Sequence, residues 1–123
     1  MSLAEIHARL ANTALFYTII LAVWALWRFF RRQSVDSSYW GALVIGEVLF
    51  LIQGALGAFL FFSGIGELTR GLIHILYGVV SVLVIPAVFL FTRGDESRRV
   101  MLIYGASLLF LMGIIFRSMA TGG

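Results

Sequence analysis

Apolar residues gather in four long runs, at about 10–30, 40–62, 72–91 and 100–116, and the chain is polar only in the short breaks between them. A helix of about 20 apolar residues crosses the roughly 30 Å of a bilayer's hydrocarbon, so each run is long enough to span it. The breaks are brief: 31–38 carries Gln, Ser and Asp, 63–70 carries two Gly and a Glu, and 92–99 reads Thr-Arg-Gly-Asp-Glu-Ser-Arg-Arg. Short connections make consecutive helices antiparallel neighbours. The pattern predicts an all-α integral membrane protein, a four-transmembrane-helix up-and-down bundle forming one domain over 1–123.

Composition agrees with a bilayer and narrows the chemistry. Of the 123 residues, 61% are hydrophobic and 12% charged, with a mean hydropathy of +1.01, outside the range of soluble globular domains. There is no cysteine, which excludes disulfides, thiolate zinc sites, iron–sulfur clusters and thiol nucleophiles. The nine basic residues are all Arg, and the net +3 is scattered between apolar runs, so nucleic acid is not an expected partner. The first run lacks a small-residue cleavage site after it and stays as helix one rather than a signal peptide. Arg28, Arg31, Arg32, Arg93, Arg98 and Arg99 flank the first and third connections, against Arg9, Arg70 and Arg117 on the other side. The positive-inside rule then puts those connections in the cytoplasm and both termini outside, in a multi-pass protein of the plasma membrane. Trp24, Trp27, Tyr39 and Trp40 fit an aromatic belt at that boundary.

His7 and His74 are the only histidines, each near the start of a helix that runs from outside to inside. At about 100° per residue, His7 shares a stripe with Ala11, Ala14, Thr18, Ala22 and Ala25, and His74 shares one with Gly71, Gly78 and Ser81. Small side chains beside two imidazoles can leave a flat slot, which suits a b-type haem held between neutral histidines. The same stripes also serve close helix packing, and a lone His near a helix end can simply reach interfacial water. Counting from the arginines at the far helix ends leaves the two histidines about 3 to 8 Å apart in height. Arg9, Arg70 and Arg117 lie at the histidine end, where they could meet haem propionates or snorkel to the interface. Glu5 and Glu67 are candidate partners for the second imidazole nitrogens. Gln53 falls near the level of the haem slot, within reach of a propionate or a neighbouring backbone group.

The run Glu5-Ile6-His7-Ala8-Arg9 opening helix one, Gln53-Gly54-Ala55-Leu56-Gly57 late in helix two, and His74 opening helix three together resemble the haem A synthase family. In that family each half is a four-helix bundle with haem between two histidines at the outer side. The resemblance covers helices one to three and implies His7 and His74 as axial ligands, with helix four standing where the family has its first helix. This chain carries one such bundle where the family has two. Haem A synthesis would therefore need a homodimer or another partner; electron transfer or haem handling, with a redox partner, needs only the one site.

Two other functions use different residues. A cofactor-free accessory subunit of a respiratory or photosynthetic complex would pack its apolar faces, including the strip of Gly105 and Gly113 on helix four, against larger subunits. A small proton-coupled transporter would use Glu47, roughly 12 Å into helix two, where an unpaired charge costs several kcal/mol. Pro86 should kink helix three and leave the Val82 carbonyl without its helical donor. No phosphate loop, Ser–His–Asp triad or carboxylate pair is present.

Overall fold

The computed structural model describes residues 2–62 and 68–122, side chains excepted at 68–71 and 121–122. Four helices account for nearly all of them: α1 (Leu3–Phe30), α2 (Ser37–Phe62), α3 (Leu68–Phe91) and α4 (Arg98–Gly122). All four contain segments long and apolar enough to cross a membrane, and no strand occurs among the described residues. The chain is thus a four-helix membrane bundle. Each helix packs against its two neighbours in a ring ordered α1, α2, α3, α4, while the diagonal pairs stay apart. The closest seam joins α1 to α4, and α2 lies more loosely against both neighbours.

The helices run beyond the apolar stretches because polar residues cap them. Ser2 accepts the Glu5 N–H on its side chain at 3.2 Å and the Ile6 N–H on its carbonyl at 3.0 Å. This starts α1 early enough to place His7 on regular helix. Asp36 caps α2 in the same way, its Oδ1 accepting the Tyr39 N–H at 2.8 Å. At the other ends α1 and α3 close with one motif. Gln33 N–H reaches the Arg28 carbonyl and Arg32 N–H the Phe29 carbonyl; Gly94 N–H reaches Phe89 and Arg93 N–H reaches Leu90. The reversing residue is an arginine each time, Arg32 at φ 57° and Arg93 at φ 54°, in the left-handed region usually left to glycine. The helix continues through Pro86.

The core explains the tight α1–α4 seam. Ala14, Thr18, Ala22 and Ala25 of α1 are buried, as are Val100, Met101, Tyr104, Leu108 and Leu111 of α4. A Cβ added to Gly105 would come within 2.8 Å of the Leu26 side chain, so glycine there lets α4 lie close against α1 without displacing it. The small-residue stripe below His7 is therefore a packing face and opens no slot. Gly105 serves the same internal seam, while Gly113 faces open space, so the two glycines do not form one outward contact strip.

The arginine-rich end is closed by polar contacts between the first and third connections. Val35 N–H donates to the Glu96 carbonyl at 2.9 Å, Trp40 Nε1 donates to Glu96 Oε2 at 2.7 Å, and Arg98 Nε donates to the Phe29 carbonyl at 2.7 Å. Tyr39, expected in an interfacial belt, is instead fully buried, its hydroxyl donating to the Leu21 carbonyl at 2.9 Å and its ring 5.0 Å from Trp24. Trp27, from the same expected belt, is 59% exposed.

Candidate functional site

α1 and α3 are diagonal and run in parallel, so residues near both helix starts face one another across the bundle axis. His7 and His74 meet there: their ring centroids are 6.0 Å apart and the ring planes are nearly perpendicular, at 83°. The stagger counted from the arginines does not keep the rings apart.

Each imidazole has a polar neighbour that bears on its orientation. His74 Nδ1 lies 3.0 Å from the Ser118 carbonyl and 3.2 Å from Ser118 Oγ. A carbonyl can only accept, so the shorter contact calls for a proton on Nδ1 and puts the ring lone pair on Nε2. On the opposite side, Gln53 Nε2 donates to the His7 carbonyl at 2.7 Å. His7 Nδ1 and Gln53 Oε1 are both buried without a hydrogen-bond partner. A ring nitrogen that can carry a proton and an amide oxygen that can only accept thus remain available on neighbouring side chains, and small rotations would pair them. The absence of a side chain at Gly57 makes room for the His7 ring, since a Cβ there would lie 3.1 Å from His7 Cε1.

The remaining candidates are placed as follows. Gly78, one turn beyond His74, is half-buried, yet a Cβ there would meet nothing within 4 Å, so the bundle is open beside it. Arg9 is exposed one turn before Thr13, whose hydroxyl donates to the Arg9 carbonyl at 3.2 Å. Arg117 is exposed beside Ser118, on the part of α4 that meets His74. The Arg70 side chain and all of Glu67 lie outside the described residues. Glu5 is exposed near the α1 cap. Among the described residues Ser118 meets the His74 ring and Gln53 meets the His7 backbone carbonyl. Ser118 carried no signal in the sequence beyond its place near the end of helix four.

No group of three His, Cys, Asp or Glu side chains able to hold a metal occurs among the described residues. Two imidazoles leave the other coordination positions of an iron to be supplied by its ligand, as a porphyrin's four nitrogens do. Farther along the bundle, Glu47 Oε1 is buried without a hydrogen-bond partner. It shares a helix face with Gly54, which approaches Val82 of α3.

No family model matches this sequence, and neither a curated protein nor a solved structure matches it. The functional reading therefore rests on the site's own chemistry.

Proposed function

We propose that the chain is a plasma-membrane protein, both termini outside, that binds one b-type haem between His7 and His74 and serves electron transfer or haem handling. The observation that carries this reading is the 6.0 Å separation of the two rings. Two imidazoles bonded to one first-row metal ion at about 2 Å each would have ring centroids about 6 Å apart, so His7 and His74 are the residues that would hold the iron.

The surroundings support the same reading. Ser118 lies at His74 Nδ1, where a proton on that nitrogen would direct Nε2 to a metal, and the Gln53 amide oxygen, buried without a partner, would do the same for His7 Nδ1 after a small rotation. Gly57 lets the His7 ring lie against α2, and Gly78 leaves open space one turn beyond His74. Arg9, Arg70 and Arg117 belong to the end of the chain where carboxylate side arms would need cations. Bound this way, haem iron exchanges single electrons, and the protein sets its potential through the two imidazoles and the apolar surroundings. A homodimer or larger assembly, with a redox partner, would complete the pathway.

The test is the absorption spectrum of detergent-purified protein, oxidised and then reduced, beside His7→Ala and His74→Ala. Six-coordinate haem bands in the parent that vanish in both variants are the expected result. A parent that stays colourless despite ample haem during expression would overturn the reading. One observation favours a second reading, a cofactor-free accessory subunit: α3 exposes Leu72, Leu76, Val79, Leu83 and Leu90, a face that another membrane protein could cover. A colourless protein that co-purifies with a larger complex would establish it.

A further inference from the structure

The outer surface of α1 carries a shallow groove of about 470 Å³ lined by Ile19, Ile20, Val23, Trp24 and Trp27. Every lining residue is apolar or indole. Trp24 is fixed at the back by its edge-on contact with Tyr39, and Trp27 stands open at the end nearest the arginines. One turn farther on, the Arg31 guanidinium lies over the Trp27 ring, 5.4 Å from its centroid. From Ile19 to Arg31 the helix rises about 18 Å, close to the roughly 15 Å of hydrocarbon that one leaflet contributes.

The charges at this end are unequally used. Asp36 pairs with Arg28 at 3.4 Å, Asp95 accepts from Ser97, and Glu96 accepts from Trp40. Arg28 is further committed to the Ser34 carbonyl, and Arg98 to the Phe29 carbonyl and ring. All three carboxylates are thus engaged within the protein, while Arg31 forms no ion pair among the described residues and is exposed. An apolar groove of about 12 Å along the helix, with a cation one turn beyond it that forms no ion pair among the described residues, is complementary to one kind of molecule.

We infer that this groove is a binding site for an anionic phospholipid, with an acyl chain along Ile19 to Trp27 and the headgroup phosphate at Arg31. The site is independent of the histidine pair and requires only that the bundle lies in a bilayer. An arginine at an anionic headgroup favours it by about fivefold over a neutral one, and stacking on Trp27 limits the freedom of the guanidinium.

The experiment uses the whole protein in phosphatidylcholine vesicles that contain a minor fraction of phosphatidylglycerol with brominated acyl chains, or brominated phosphatidylcholine at the same fraction. Bromine quenches tryptophan on contact, and Trp24 and Trp27 line the groove. The expected result is an apparent preference of about fivefold for the brominated anionic lipid. It falls to parity in Arg31→Gln and persists in Arg93→Gln, which removes a charge from the diagonal helix. Helix content by circular dichroism confirms that each variant is folded. Equal quenching by the two lipids would overturn the proposal, as would a preference that survives Arg31→Gln or is lost equally in Arg93→Gln. Relief of quenching by inorganic phosphate alone would overturn it too, since it would mark a site for a free anion.

Discussion

The two ends of this bundle are built differently. At the arginine-rich end Tyr39, Leu43, Val100, Met101 and Tyr104 are buried almost completely, the connections hydrogen-bond to each other, and Trp40 lies edge-on to both Phe89 and Tyr104. At the histidine end no described residue of α1 before Ala14 and no described side chain of α3 before Ile85 is buried, and α2 beyond Phe50 buries only Leu60. One end fills its interior with its own side chains. The other brings polar groups together among side chains that are only partly buried, so one end holds the fold more firmly than the other.

Leucine truncation at the two ends is the severest test of that difference. Leu108→Ala in the packed half should lower stability by about 2 to 4 kcal/mol, because the vacated volume is surrounded on all sides. Leu56→Ala, at a half-buried position of the histidine end, should cost under about 1 kcal/mol in protein without cofactor. Unfolding in bicelles measures both. Equal losses would mean that the histidine end is packed as tightly as the other, and the comparison would fail.

Glycine-to-alanine changes sharpen it, because here the ends should differ in sign. In Gly105→Ala the new methyl meets Leu26 Cδ2 at 2.8 Å and Cγ at 3.1 Å, so the Leu26 side chain must move within the tight α1–α4 seam. A net loss of about 1 to 2 kcal/mol is expected. In Gly78→Ala the methyl meets nothing within 4 Å, and the cofactor-free protein should gain up to about 1 kcal/mol from helix propensity. Cofactor loading of the same variant should fall, since the open space beside His74 is reduced. Gly57→Ala should also reduce loading, by pressing on His7 Cε1 from 3.1 Å.

Much of this architecture was legible in the sequence. Four apolar runs with short breaks determine the helix number and order, because a bilayer tolerates little else. The histidines could be singled out as a pair, since only two exist and both open parallel helices. Their contact could not, because it depends on tilt and on the register between diagonal helices, and counting residues along each helix gives neither. Gln53 was visible as a polar residue at the right depth, whereas Ser118 became a partner of His74 only through the α3–α4 register. The stripe from Ala11 to Ala25 shows the limit most clearly. Small residues at helical spacing suit a slot and a tight seam equally, and only the burial of Ala14, Thr18, Ala22 and Ala25 against α4 decides between them. Nor does an arginine announce a left-handed helix end, as Arg32 and Arg93 do here.

The smallest expected effect concerns a single carboxylate at the packed end. Asp95 accepts the Ser97 N–H at 3.1 Å and the Ser97 hydroxyl at 3.0 Å, and these bonds hold its pKa below the ordinary value of 3.8. The folded turn therefore prefers the ionised side chain. Its contribution to stability is fully present above the unfolded-chain value and is lost as the pH falls through the lowered folded value. Below that point the turn before α4 should loosen, and the Ser97 amide resonance should move with a midpoint under 3.8. Asp95→Asn should flatten that titration. Because Glu96 of the same turn binds Trp40 and Val35, the loosening should also reach the Trp40 indole resonance. It should stop there: the Ser118 amide, beside His74 at the far end of α4, should not respond to Asp95. A Ser118 response that followed the Asp95 midpoint and disappeared in Asp95→Asn would mean that the two ends loosen as one unit. An independent response would leave the packed end as a separate clamp that holds the bundle whatever happens at the histidine end.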